Sequence, residues 1–153
     1  MIITAIDPGN IQSAYVTWDG KKIISKDILP NADLIYCIPS HSTKLCIEMI
    51  ASYGMPVGAT VFETCVWIGR FIELWQVISL RPIHELIYRK DVKMHHCNST
   101  RAKDSNIHQA LVDRFGDKGT KKNPGLTYGL SKDMWAAFAI ATYAYDKYLV
   151  NKV

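Results

Sequence analysis

The sequence is short of the features on which a secreted or membrane protein of this size depends. Only four of its 153 residues are cysteine (Cys37, Cys46, Cys65 and Cys97), and no two form a Cys-x-x-Cys pair. A disulfide framework staples small secreted domains that cannot build a core, whereas 48% of these residues are hydrophobic. Cys46 and Cys65 lie in apolar runs and read as buried free thiols, and the cysteine usage points to a cytoplasmic location. Long hydrophobic runs are also missing. The longest uncharged stretch, residues 49–62, is interrupted by Gly and Pro and falls short of the roughly 20 apolar residues of a membrane helix. The opening residues, Met1 to Asp7, reach an acid without any basic residue, so no secretory signal is expected. There is no internal repeat, linker or low-complexity tract, and aromatic content of 10% argues against disorder. These properties predict one globular domain over residues 1–153.

Net charge is a mild +4, but it is unevenly distributed. Residues 1–88 carry a net −2, residues 89–132 a net +6, and residues 133–153 balance. A basic block of this kind, with His95, His96 and His108 inside it, is the electrostatic footprint of phosphate-backbone binding, although a solvated basic face has the same composition. Three adjacent residues, His95-His96-Cys97, are poorly spaced for a single tetrahedral zinc site.

Residues 2–7 read as a short strand stopped by Pro8-Gly9, and residues 12–18 as a strand ending in the hairpin signal Asp19-Gly20. Residues 21–29 return as a third strand, followed by a short helix over 31–38 and a buried strand over 44–50. Apolar residues Val61, Cys65, Ile68, Ile72 and Trp75 recur at steps of three and four, which predicts a long helix over 59–79. On it, Trp67 and Trp75 suit a core or a dimer seam, and Arg70 and Glu73 suit a surface pair. A fifth strand over 84–88, a helix over 102–115, an aperiodic mobile loop over 117–131 and a C-terminal helix from Met134 complete the pattern. The class is α/β, a mixed sheet covered by helices.

Within that frame two acids are out of place. Asp7 ends the first strand and Glu48 sits inside the fourth, where an unpaired charge costs several kcal/mol. Neither strand supplies an internal Lys or Arg. If the first and fourth strands are adjacent and parallel, the two carboxylates meet and need a cation between them. Asp133, at the start of the last helix, is unremarkable in isolation because acids favour helix N-termini. Oxygen ligands select hard ions such as Mg²⁺ or Mn²⁺, and an acidic site beside a basic block suits two-metal phosphodiester hydrolysis.

Three segments carry a family resemblance. Ile6-Asp7-Pro8-Gly9-Asn10, Cys46-Ile47-Glu48 and Lys132-Asp133-Met134-Trp135-Ala136-Ala137 resemble, in order, the acidic motifs of RuvC-type Holliday-junction resolvases, most of all the divergent bacteriophage versions. The resemblance implies a ribonuclease-H-like mixed five-stranded sheet flanked by helices, acting as a homodimeric endodeoxyribonuclease on branched DNA. It also implies two Mg²⁺ ions (Mn²⁺ substituting), bridged by Asp7 and held further by Glu48 and Asp133. Products would carry 5′-phosphate and 3′-hydroxyl ends, and a phage-encoded enzyme would act in the cytoplasm of its bacterial host.

Lys93 and Lys103 resemble the family's two basic positions between the second and third acids, and Tyr53 resembles its junction wedge, two positions late. Lys118, Lys121 and Lys122 in the 117–131 loop suit phosphate contacts that order on binding. One departure stands out: the family's last motif carries a further acid three residues on, where this sequence has Ala136. The alternative reading is therefore a non-catalytic or weakly catalytic branched-DNA-binding protein with a partly decayed metal site.

Overall fold

The computed structural model describes residues 1–80 and 82–151. Five strands form one mixed sheet in the order β3-β2-β1-β4-β5: β1 (Ile3–Asp7), β2 (Gln12–Trp18), β3 (Ile23–Pro30), β4 (Lys44–Met49) and β5 (His84–Tyr88). The first three form an antiparallel meander, whereas β4 pairs parallel to β1 and β5 parallel to β4. Asp19 closes the β2–β3 turn by accepting hydrogen bonds from the backbone N–H groups of Lys21 and Lys22 at 2.8 and 2.7 Å. Parallel strands require crossovers, and these are α1 (Asn31–Cys37) and α2 (Ala59–Ile78).

Side-chain alternation along the strands divides the core between two faces. Ile3, Ala5, Val16, Cys46 and Ile87 point to one face, covered by α5 (Met134–Val150), whose Phe138 meets Trp18 edge-on at 5.2 Å. Ile6, Tyr15, Leu45 and Ile47 point to the other face and pack against Leu34, Ile68, Phe71 and Trp75 of α1 and α2. The buried stripe of α2 is Thr64, Ile68, Phe71 and Trp75, rotated slightly from the expected one, so that Val61, Cys65 and Ile72 are half-buried. Cys65 is thus not the buried thiol expected, and Cys37 is exposed; all four cysteines are free. Trp75 donates its indole N–H to the Ile83 carbonyl at 3.1 Å. Arg70 lies over the Trp67 ring at 4.6 Å, and the expected Arg70–Glu73 pair is not among the ion pairs of the described residues.

Two segments differ from expectation. Between β5 and the helix α4 (Asp104–Phe115) lies a further helix, α3 (Arg89–Cys97), which has no apolar stripe because Val92 is its one fully buried residue. Residues 117–131 are irregular, as expected of a loop, but they carry backbone hydrogen bonds of their own that the sequence pattern does not suggest. Gly125 N–H bonds Lys118 C=O at 2.9 Å, Thr120 N–H bonds Asn123 C=O at 3.0 Å, and Gly119 bridges Pro124. Any Cβ on Gly125 would lie 2.2 Å from the Asp117 carbonyl oxygen, so the loop is built around that glycine. Lys26 ties it to the sheet by donating to the Tyr128 carbonyl at 2.6 Å, and Leu130 is buried in the core.

Candidate active site

The site lies at the carboxyl ends of the parallel strands, where ligands bind in open α/β sheets. Asp7 is the last residue of β1, and Glu48 follows Ile47, which pairs with Ile6 in the β1–β4 register. The pleat therefore sends Asp7, with Ile3 and Ala5, and Glu48, with Cys46, to the same face of the sheet, the one that α5 covers. Asp133 caps the N-terminus of α5 on that face, its carbonyl accepting from the Ala137 N–H at 3.1 Å. It follows Lys132, whose φ of +46° lies in the left-handed region that costs a non-glycine residue about 1 kcal/mol or more. The chain bends there to bring Asp133 to the cleft.

The turn after Asp7 is fixed by a buried polar network. Asn31, fully buried at the start of α1, donates its amide to the Gly9 carbonyl at 2.8 Å and accepts from the Ser13 hydroxyl at 2.6 Å. Ser13 Oγ in turn accepts from the Gly9 N–H at 3.1 Å. Any Cβ on Gly9 would lie 2.3 Å from the Gln12 carbonyl oxygen, which explains why glycine follows Pro8. Asn31→Ala would leave the Ser13 hydroxyl and the Gly9 carbonyl buried without this partner. The expected loss is about 1–3 kcal/mol by chemical denaturation, with looser placement of Asp7.

Electrostatics set this cleft apart from the rest of the surface. Burial, then the neighbouring charges of Glu48 and Asp133, push the Asp7 carboxyl up to about 7, with Arg89 opposing them. Asp7 forms no side-chain hydrogen bond or ion pair among the described residues. Burial also raises the Glu48 carboxyl, but the charge and hydrogen bond of Arg89 work against that rise. Arg89 is the cation that the strands themselves do not supply. It begins α3 directly after β5 and donates to Glu48 at 3.1 Å and to Asp104 at 2.5 Å. Burial works against its charge, and the Glu48 and Asp104 carboxylates outweigh that and hold its pKa above the ordinary value.

Asp104, at the first turn of α4, is thus a fourth carboxylate at the site. One cleft is lined by Arg89, Asp104, His108, Asp133, Trp135 and Ala136, placing Asp104 on its wall together with the alanine that replaces the family's further acid. Within this cleft His108 packs its ring edge-on against Trp135, 4.1 Å between centroids.

Among the described residues no three His, Cys, Asp or Glu side chains converge closely enough, as they stand, to hold a metal ion. The donor chemistry nevertheless fits one. Asp7 is a half-buried carboxyl without a partner, repelled by two other carboxyls, and all the available donors are oxygens suited to Mg²⁺ or Mn²⁺. Glu48 is the member that the structure shows engaged elsewhere, by Arg89.

The basic residues are divided over the surface. Lys93 on α3 and Tyr53 line a recess with Arg89, Lys90 and Thr100, next to the carboxylates. Tyr53 is 66% exposed with a left-handed φ of +48°, presented on the loop between β4 and α2. Exposed Lys103 caps α4 beside Asp104, its N–H bonded to the Asn106 side-chain oxygen at 2.8 Å. Lys118 lines a separate recess with His108 and Trp135, and exposed Lys121 and Lys122 occupy the turn of their loop, between the paired Thr120 and Asn123. Part of the basic block is neutralised: Arg114 pairs with Asp146 through two hydrogen bonds at 2.5 and 2.8 Å, and His95 adds a third at 2.8 Å.

Sequence reasoning missed Arg89, Asp104 and Asn31. For Arg89 a signal existed in its position at the carboxyl end of a parallel strand. Asn31 and Asp104 carried none, because the partners of each are distant along the chain.

No protein-family model matches the sequence, and no curated protein matches it. Among solved structures, Thermus thermophilus RuvC superimposes with a TM-score of 0.73 at 13% identity, over 97% of this chain and 96% of that one. Thermus thermophilus RuvC in complex with a Holliday junction substrate gives 0.69 at 13% identity, with the same coverage. The mixed five-stranded sheet with its flanking helices is accordingly the ribonuclease-H-like fold of RuvC.

Proposed function

We propose that this protein is a structure-selective, metal-dependent endodeoxyribonuclease that resolves four-way and other branched DNA. The observation that carries the proposal is an unpaired Asp7 at the carboxyl end of β1, its carboxyl pushed up to about 7 by burial and by the nearby charges of Glu48 and Asp133. A likeness to a RuvC structure holding a Holliday junction over 97% of the chain supports the same reading.

Asp7, Glu48 and Asp133 would hold Mg²⁺ or Mn²⁺. When bound, such ions activate water and stabilise charge on the scissile phosphate and leaving oxygen, as hydrolysis to 5′-phosphate and 3′-hydroxyl ends requires. The protein's own contribution is placement. The Asn31–Ser13–Gly9 network holds Asp7, and the β4 register holds Glu48. Lys132 turns Asp133 in, and Lys93, Lys103 and Lys118 offer phosphate contacts around the cleft. Tyr53 stands exposed at the rim, where an aromatic ring can stack on an unpaired base. A homodimer would present two such clefts to the two arms of a twofold junction.

The second reading, a branched-DNA-binding protein without cutting activity, draws on Ala136 and on the engagement of Glu48 by Arg89. Incubating the protein with four-way, three-way, flap and linear duplex DNA in Mg²⁺, in Mn²⁺ and in chelator distinguishes the two. Metal-dependent cutting of branched substrates in preference to linear duplex is the expected result. Binding to the branched forms without cutting in either metal supports the second reading.

A further inference from the structure

We propose that Arg89 is the resident counter-cation of the carboxylate cleft, and that a divalent ion entering the cleft competes with it for Glu48. The inference rests on the metal-dependent reading above and concerns how the site is kept when no ion is bound. Four carboxylates, those of Asp7, Glu48, Asp104 and Asp133, lie close enough together for Glu48, Asp133 and Asp104 all to raise the Asp7 carboxyl. Such a cluster repels itself unless positive charge is supplied. The structure supplies it from one guanidinium, which bridges Glu48 on β4 and Asp104 on α4 through separate nitrogens.

A guanidinium is suited to the task because its planar fork engages two carboxylates at once and stays charged at any working pH. Its side chain is 24% exposed, so it has a route out of the cluster. The contact with Glu48 is 3.1 Å, longer than the 2.5 Å contact with exposed Asp104, so the inner bond is the weaker geometry. Arg89 holds Glu48 Oε2, and a divalent ion on the same carboxylate would set two cations side by side in a half-buried site, so their repulsion makes them compete. Arg89 also lines the recess that contains Tyr53, Lys90 and Lys93. Release from Glu48 turns a neutralised charge into one available to phosphates in that recess, so that ion loading and grip on DNA rise together.

Competition has a signature that a merely structural ion pair lacks: removing the arginine charge should strengthen metal binding. Mn²⁺ is titrated into the free protein and the unbound ion is followed by its electron paramagnetic resonance signal, for the wild type, Arg89→Gln and Arg89→Lys, each checked for folding by circular dichroism. Arg89→Gln is expected to bind Mn²⁺ about 3- to 10-fold more tightly than the wild type, and Arg89→Lys to stay near it. As a measurement independent of any variant, the Arg89 Nε–H resonance of the wild type should shift as Mg²⁺ saturates the site. Equal or weaker Mn²⁺ binding by folded Arg89→Gln overturns the proposal, as does an Arg89 resonance that Mg²⁺ leaves unmoved. If the wild type takes up no Mn²⁺ at millimolar concentrations, the metal-dependent reading itself fails, and that outcome is separate from a failure of Arg89 alone.

Discussion

At pH 8 and without divalent metal, Asp7→Asn should melt several degrees above the wild type, and the difference should shrink as pH falls towards 4. Asp7 is raised from 3.8 to about 7, with burial the largest cause and the neighbouring carboxylates next. A carboxyl whose folded pKa lies above its unfolded value holds its proton more tightly when folded. The folded state is therefore penalised where the group must ionise, fully above pH 7 and hardly at all below pH 4. That rise corresponds to a penalty on the order of 4 kcal/mol at high pH. Asparagine keeps the shape and removes the charge, at the cost of an amide that lacks ideal partners, so part of that penalty should return as stability. Mg²⁺ should raise the melting temperature of the wild type at pH 8 by mass action and leave Asp7→Asn nearly unchanged. Thermal melts of both proteins at pH 8 and pH 4.5, with and without Mg²⁺, check every part of this. A variant that is less stable than the wild type at pH 8 would mean that Asp7 serves the fold rather than a ligand.

Lys93→Ala should slow cutting of a bound four-way junction on the order of 10²-fold, whereas Lys121→Ala/Lys122→Ala should weaken binding and leave the bound rate unchanged. Lys93 lies in the recess beside Arg89, next to Glu48, where a donor to the scissile phosphate acts in the transition state. Lys121 and Lys122 occupy an exposed turn in the loop that Gly125 and Gly119 build, and neither lines the recess that holds Lys93. Each exposed lysine that meets a phosphate adds about 0.9 to the slope of log affinity against log salt, so losing both should flatten that slope by about two. Single-turnover cleavage with protein in excess, beside binding measured across a salt series, separates rate from affinity. Equal effects of the two changes on the bound rate would show that Lys93 has no special place.

Most of the sheet was legible because its strands carry local signals. Asp19-Gly20 marked the hairpin, and the alternation over residues 12–18 and the run that follows Pro82 marked β2 and β5 to the residue. Asp7 and Glu48 were legible for the opposite reason, as acids where the surrounding pattern demands apolar residues. What stayed hidden was non-local or lacked periodicity. α3 is a helix of charged residues and histidines that buries little beyond Val92, so it has no stripe to read. The internal hydrogen bonds of the 117–131 segment were hidden because turns built on glycine have no period and close through backbone approaches. Glu48 was expected to need a metal because neither strand supplies an internal Lys or Arg partner, but Arg89 reaches it from 41 residues away, through a neighbouring strand that only the fold brings alongside. The +6 block also proved to be divided, with Arg89 and Arg114 paired to acids and Lys93 and Lys118 lining separate recesses.

Cleavage of a synthetic four-way junction by the wild type and by Asp7→Asn, at protein concentrations where both bind it, tests the central claim most directly. With Mg²⁺ present, the wild type should place paired nicks whose 5′-phosphate and 3′-hydroxyl ends a DNA ligase can reseal, and Asp7→Asn should bind the junction and leave it intact. Equal cutting by the two proteins would contradict the assignment of Asp7 and its cleft as the metal-dependent cutting centre.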